Sequence, residues 1–361
     1  MAANLKYLLG FGVSALLLVL FLFTVDIRQM LDALAGANYW FLIPAVAAYL
    51  VSIYFRALRW SLLLRHLKPV TTRRLYPVVV VGYMANNLLP MRLGELVRSY
   101  YLGQREGISR TSALATVFVE RLFDALVLVL FVAVIMLFVP LSGLANSFSD
   151  QYGLPWPALV AIVSVPLLAA FAAGVTLAAY PARATDAVRW LVRPLPQRFQ
   201  ASATALTSKL FQGFAPLSEP RLLSVLFLLS LPIWLFEAAV FYILGFPFGL
   251  DDPHENLGTM AGTMVLVTAI TNIGSSIPAA PGGLGLFEII ARETLVLGPL
   301  ATVERSVAAG YALVVHATIL LPMIILGQAI LWAGHVSLGR LSRQGGGAAA
   351  SGQPDPTGPG P

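Results

Sequence analysis

GYMANNLLPMRLGELVRSYYL, residues 82–102, and TNIGSSIPAAPGGLGLFEIIARE, residues 271–293, decide how this chain folds. They lie inside two long apolar regions, Leu75 to Leu102 and Leu257 to Leu300, and interrupt them with Asn, Pro and Gly. Each carries P-x-x-L-G with a Glu close behind: Pro90, Leu93, Gly94 and Glu95 in the first, Pro281, Leu284, Gly285 and Glu288 in the second. Asn86 and Asn87 precede the first break, and Asn272 and Ser276 precede the second; Arg98 and Arg292 follow. Proline removes a backbone donor and clashes with the preceding turn, while glycine lets the chain bend sharply. One such break reads as a kink in a spanning helix. Two in matching places read as paired non-helical elements, which membrane depth tolerates only against protein or a wet cavity.

Around the breaks stand six apolar stretches near the roughly 20 residues that a bilayer crossing needs: Leu8 to Val25, Trp40 to Leu64, Ala113 to Val139, Pro157 to Tyr180, Leu222 to Phe246 and Val307 to Ala333. The first exceeds the usual 7–15-residue apolar core of a signal peptide and is read as a retained span. Of 361 residues 58% are apolar and 11% charged, against about 25% charged in a soluble domain. That balance excludes a soluble enzyme and a nucleic-acid binder, although the net charge is +6. The absence of Cys excludes disulfides and thiolate metal sites.

Lys and Arg are retained on the cytoplasmic side, so the charges between spans orient them. Residues 56–74 carry Arg56, Arg59, Arg65, Lys68, Arg73 and Arg74 with no acid, and residues 181–221 are also net positive. Asp150 is the only charge in 140–155, and Asp251, Asp252 and Glu255 stand in 247–257 without a base. The expectation is a plasma-membrane protein with both termini cytoplasmic, and with three crossings and one non-crossing break in each half. An odd number of crossings makes the halves antiparallel, an inverted repeat. The fold class is thus an all-α polytopic membrane protein of six long helices and two re-entrant segments. Residues 1–139 form the first repeat and 140–339 the second, with a cytoplasmic loop over 182–221 that holds a short amphipathic helix. The low-complexity tail 340–361 is expected to be disordered.

Few charges remain within the bilayer, where each costs about 2.5–3.5 kcal/mol at a helix centre. Freed amides and half-helix N-termini at the breaks favour anions, and the guanidinium of Arg92 suits phosphate or carboxylate. In FVERLFDAL, Glu120 and Asp124 share a face and Arg121 reaches Asp124. These three serve equally as a gate exchanging partners with Arg92 or Arg98, or as a clamp onto the first break. Glu237 reads as a hydrogen-bonded structural carboxyl, with a proton site or a counter-charge to Arg292 as alternatives. His316 reads as a satisfied packing residue. Asp251, Asp252, His254 and Glu255 read as a solvated acidic loop rather than a metal site. GGLG at 282–285 lacks the Lys-Ser/Thr and strand of a phosphate loop. Tyr39, Trp40, Trp60, Trp156 and Trp190 read as interfacial anchors.

NNLLPMRLGELVRSYYL, TVFVERLFD and PAAPGGLGLFE together resemble the transmembrane domain of lysylphosphatidylglycerol synthases, over about residues 5–335. The resemblance implies a flippase-like membrane domain that moves modified phospholipid between leaflets. Synthase activity belongs to a separate cytosolic domain of the bifunctional members and is not carried over; the sequence is read as a stand-alone member. By resemblance the positions that matter are Pro90, Arg92, Gly94, Glu95, Arg98, Glu120, Arg121, Asp124, Pro281, Gly282, Gly283, Gly285 and Glu288. The expected function is a lipid translocator with membrane lipids as partners and no cofactor. The alternatives are a membrane-embedded transferase acting on a lipid-linked substrate and an accessory subunit of a synthase or glycosyltransferase. Glu120 with Asp124 is the one carboxylate pair a transferase would have to use.

Overall fold

A computed structural model describes residues 2–89, 93–138, 153, 155–194, 196–251, 257–276, 281–298, 300 and 303–334. Thirteen α-helices account for most of them: α1 (Ala2–Phe23), α2 (Ile27–Gly36), α3 (Leu42–Leu64), α4 (Thr72–Leu88), α5 (Gly94–Glu106), α6 (Arg110–Phe138), α7 (Trp156–Ala179), α8 (Pro181–Val192), α9 (Gln197–Phe214), α10 (Pro220–Gly245), α11 (Leu257–Gly274), α12 (Leu286–Val296) and α13 (Arg305–Ala333). No strand occurs among the described residues. All six expected spans are helical within a few residues of their predicted ends. By length and hydropathy α3, α6, α7, α10, α11 and α13 are fit to cross a bilayer, and α1 is fit to do so when joined to α2. The chain is a multi-pass membrane protein.

Local sequence sets the joints. At the end of α1 the chain turns by 92° into α2, where Asp26 Oδ1 accepts the amides of Arg28 and Gln29 at 2.8 and 3.1 Å. That satisfies two of the donors a helix start leaves open. Residues 26–38, net negative through Asp26, Arg28 and Asp32, therefore contain the amphipathic helix α2. The loop 182–221 likewise holds more than one short helix: α8 and α9 pair as a hairpin against α6 and α7.

Both breaks are helical hairpins. Helix α5 runs back along α4, and Lys68, just before α4, reaches Glu106 at the end of α5 at 3.2 Å. Helix α12 returns along α11, with Gly274 against Ile290 and Gly298 beside Thr263. Most of the core is one large apolar cluster, with three smaller ones beside it, and α3 and α10 lie side by side at its centre. Trp60, Phe123, Phe241 and Tyr311 are its largest fully buried aromatics besides Phe21, which belongs to a smaller cluster. Helix α4 packs on α3, α5 and α13; correspondingly, α11 packs on α10, α12 and α6. Helices α1 and α2 lean on α12 and α13, while α7 and α9 lean on α6.

The two tips meet. The turn at Pro281–Gly283 packs on the end of α4, where a β-carbon on Gly282 would lie 3.2 Å from the Asn87 carbonyl oxygen. The Asn87 amide reaches on to the Leu320 carbonyl of α13 at 3.5 Å.

Candidate functional site

Beside the hairpin tips the bilayer-depth charges of the first half join with Glu237 of the second into one chain. Arg56 Nη2 lies 2.6 Å from Glu237 Oε2, and Arg56 Nη1 lies 3.5 Å from Asp124 Oδ2. Arg59 Nη1 sits 2.8 Å from Asp124 Oδ1, and its Nη2 sits 3.9 Å from Glu120 Oε1. Arg98 Nη1 approaches Glu120 Oε2 at 2.7 Å. Arg121 bridges Asp124 at 3.3 Å and Glu95 at 3.7 Å. Four arginines face four acids, so the assembly is neutral. Neutrality is what lets it sit in a low-dielectric interior, where one uncompensated charge costs several kcal/mol.

Hydrogen bonds and ring faces complete the shell. Arg59 donates to Ser230 Oγ at 2.6 Å, Trp234 Nε1 donates to Asp124 Oδ1 at 3.2 Å, and Arg121 donates to the Tyr83 hydroxyl at 3.3 Å. The Arg56 guanidinium lies over the Trp234 ring, and that of Arg98 lies 3.6 Å above Trp60. Trp60 is not an interfacial anchor. It is fully buried and donates to Thr116 Oγ1 at 3.0 Å. Tyr39, Trp40 and Trp190 are exposed, as anchors should be.

The chain of charges is sealed at one end and open at the other. Arg59 is wholly buried, whereas the side chains of Arg121 and Glu95 are 31% and 27% exposed. Their contact is the loosest of the set but one, and Arg121 Nε has no hydrogen-bond acceptor. Arg98 pairs closely with Glu120 yet leaves Nε and Nη2 without an acceptor. Asn86, whose Oδ1 is also unpartnered, and Asn87 stand half-buried on the same hairpin.

The second hairpin carries its own buried set. Glu288 Oε2 accepts the Gly285 amide at 2.7 Å, and Glu288 Oε1 lies 2.7 Å from His316 Nδ1. His316 Nε2 lies 3.0 Å from the Gly282 carbonyl, and Phe287 stacks on the imidazole. Gly282, Gly283 and Gly285 all have positive φ. Gly285 also abuts α1, where a β-carbon would meet Leu17 at 2.5 Å. Asn272 donates back to Thr268, Ser276 donates to the Asn272 carbonyl and is exposed, and Pro281 is buried at the turn.

Several expectations change. Glu237 pairs with Arg56, not with Arg292; Asn272 is its other side-chain partner. Arg292 instead binds Glu293 at 2.7 Å and caps α1 through the Phe21 carbonyl and Thr24 Oγ1. His316 is more than a packing residue, because it holds Glu288 and the glycine turn together. Arg56 and Arg59, counted from sequence with the cytoplasmic loop, lie inside α3 and are buried. Arg56 stands eight residues before the end of α3, about 12 Å along a helix. A pair of Arg at i, i+3 within an apolar run was the signal available for them. Pro90 and Arg92 lie outside the described residues, as do Asp252, His254 and Glu255 and the tail from residue 335 onward.

The profile described as the lysylphosphatidylglycerol synthase TM region matches residues 7–327. This chain belongs to that family. It is also 30% identical over 298 residues to a "UPF0104 membrane protein" of Methanothermobacter thermautotrophicus, covering 78% of this chain and 82% of that protein. A second protein of that name from the same organism is 22% identical over 335 residues, 84% of this chain and 90% of the relative. "Glycosyltransferase AglD" of Haloferax volcanii is 25% identical over 345 residues, 91% of this chain and 54% of that protein.

Proposed function

We propose that this protein moves an anionic phospholipid or lipid-linked headgroup between the leaflets of the cell membrane. The observation that carries the reading is the half-open ion pair of Arg121 and Glu95 at the end of an otherwise buried, neutral chain of charges. A phosphate brought to Arg121 displaces Glu95 and gains a charge-assisted contact with the orphaned Nε. The four-to-four balance then shifts, and Arg98 and Glu120, close but poorly aligned, are the adjacent pair able to rearrange. The starts of α5 and α12 at the meeting tips add partial positive charge for the headgroup. Acyl tails remain in lipid.

The corresponding packing of α3–α6 and α10–α13 supports an inverted repeat, with the hairpins entering from opposite faces and the substrate path between their tips. In this reading both termini are cytoplasmic, and Arg92 works with Arg121 on the headgroup.

Purified protein in phosphatidylcholine vesicles containing fluorescent phosphatidylglycerol tests the reading. Arg121→Ala is expected to slow translocation about tenfold, equivalent to one lost contact of roughly 1.4 kcal/mol. An unchanged rate in that variant, or no movement of any lipid by the unaltered protein, overturns it. The name of the Haloferax relative gives a second reading, transfer of a sugar to a lipid-linked acceptor. Mass spectrometry of the vesicle lipids decides for transfer if a chemically altered lipid forms.

A further inference from the structure

We infer that Glu288 and His316 form a proton-binding site that couples one proton to the opening of the Pro281–Gly285 turn. The inference rests on the translocator reading for what the opening accomplishes, and on geometry alone for the proton.

The hydrogen count follows from the partners. The Gly282 carbonyl can only accept, so at 3.0 Å the His316 Nε2 must carry hydrogen. Glu288 Oε2 faces the Gly285 amide, which can only donate. Between Glu288 Oε1 and His316 Nδ1, 2.7 Å apart, there is room for one proton, held by either partner. With that proton the pair is neutral overall, as ion pair or as acid and imidazole. Without it, a carboxylate faces the Nδ1 lone pair and a net negative charge is left in a site where Glu288 and His316 are 2% and 3% exposed. Such a contact is repulsive and undersolvated, and it opens. The proton goes to water on release and returns from hydronium on closure, with no bond other than these changing.

The surroundings offer nothing to compensate the bare carboxylate. On α12 Arg292 is bound to Glu293, and Arg305 on α13 binds the same carboxylate. Glu237 on α10 is bound to Arg56 of α3, and Arg59 to Asp124. Arg74 on α4 lies toward Glu106, while Arg73 on α4 and Arg28 and Asp32 on α2 are exposed. Helix α11 carries no acid or base, and α1 has no charged residue after Lys6. No neighbouring cation is therefore free to take the place of the lost proton.

Its position gives the titration a mechanical consequence. Glu288 and His316 each hold one end of the glycine turn, at Gly285 and Gly282, and Gly282 abuts Asn87 at the tip of the other hairpin. Losing the proton releases the turn from α13 at the point where the hairpins meet.

Vesicles with the transmembrane potential clamped and a one-unit pH difference test the coupling. One unit is worth 1.36 kcal/mol per proton, so one proton per lipid drives labelled phosphatidylglycerol to a leaflet ratio of about tenfold. His316→Gln and Glu288→Gln are expected to leave that ratio at one, while Lys209→Ala keeps it. An even distribution across the gradient, with lipid still moving at equal pH, overturns the coupling and leaves the translocator standing. If no lipid moves, the translocator reading fails and a second measurement decides the proton site. The chain has no cysteine, so Ser275→Cys, half-buried against Gly283, reports the accessibility of the turn. Its labelling should rise with pH relative to the same cysteine in the His316→Gln background, because the rise requires loss of the shared proton. Identical profiles in the two backgrounds overturn the site.

Discussion

Arg59 Nη1 lies 2.8 Å from Asp124 Oδ1, and both side chains are buried. Asp124 is also within ion-pair distance of Arg56 and Arg121. One carboxylate thus stands against three guanidinium groups, and its removal leaves positive charge buried without a partner. Asp124→Ala should destabilise the protein by about 3–5 kcal/mol, the cost of breaking a buried pair. Thermal unfolding in detergent checks this. Arg59→Met added to Asp124→Ala should recover part of the loss, because it removes a stranded cation. A purely additive double variant contradicts the pairing.

Gly94 makes the closest approach in the first hairpin. A β-carbon there would lie 2.2 Å from the Gly82 carbonyl oxygen and 2.5 Å from the Asn86 amide nitrogen. At Gly82 the obstacle is the Arg98 side chain, at 2.9 Å. The Arg98 β-carbon moves only with its backbone, but 2.9 Å is a much shallower overlap than 2.2 Å, so Gly94→Ala should be the more damaging change. Gly94→Ala is expected to cost more than 2 kcal/mol by roughly the overpacking scale, and Gly82→Ala less. Unfolding temperatures compared side by side test the order.

Much of the fold was legible because hydropathy and proline speak through local chemistry. The six spans and both breaks follow from runs of apolar residues and from Pro, Gly and Asn within them. The pairing of charges was legible only in part. From sequence the charges of FVERLFD could meet either Arg92 or Arg98, since a charge there needs a partner on a neighbouring break. Which acid Arg98 takes, Glu120, depends on the packing. Arg56 and Arg59 were not legible as partners, because a basic residue near a span end reads the same whether it points to the cytoplasm or into the bundle. Glu288 and His316 are 28 residues apart. Their contact depends on how α13 folds back on α12, which no local pattern encodes.

Trp60 holds Arg98 by its ring face at 3.6 Å and is itself pinned to Thr116. Trp60→Phe keeps a ring but loses the indole donor, and Trp60→Leu loses both. The first should cost about 1 kcal/mol and the second about 3 kcal/mol, on the scales of a hydrogen bond and of lost aromatic packing with a desolvated cation–π contact. Equal unfolding temperatures for the two variants would show that the ring face does not support Arg98.

The second hairpin makes a sharper demand at Gly285 than at Gly283. Both have positive φ, but a β-carbon at Gly283 meets only Ser275 at 3.8 Å, while at Gly285 it enters the backbone of α1 at Leu18 N, 2.9 Å away. Gly283→Ala therefore carries backbone strain alone, about 1–2 kcal/mol. Gly285→Ala adds a collision that must push α1 away from α12. That displacement also pulls at the Arg292 contacts with Phe21 and Thr24, which close the C-terminal end of α1. Proteolysis distinguishes the two, since Gly285→Ala should expose the α1–α2 elbow to cleavage and Gly283→Ala should leave it protected. Equal protection in both variants would mean that α1 does not depend on this glycine for its seat.

The orientation of the chain is tested by the charges that first suggested it. Without Arg56 and Arg59, which α3 buries, the stretch from the end of α3 to the first turn of α4 still carries Arg65, Lys68, Arg73 and Arg74 and no acid. The positive-inside bias there therefore survives their removal. The stretch 181–221 carries five of its six bases on the α8–α9 hairpin, whereas Asp150 is the sole charge in 140–155. A single cysteine at Ser202, in α9, should react with a membrane-impermeant maleimide only after the cells are permeabilised. One at Asn146, in the acid-only connection, should react in intact cells. The native chain supplies no competing thiol. Reversed labelling would invert the protein in the membrane and move the half-open Arg121–Glu95 pair to face the opposite leaflet from the one its neighbouring basic residues indicate.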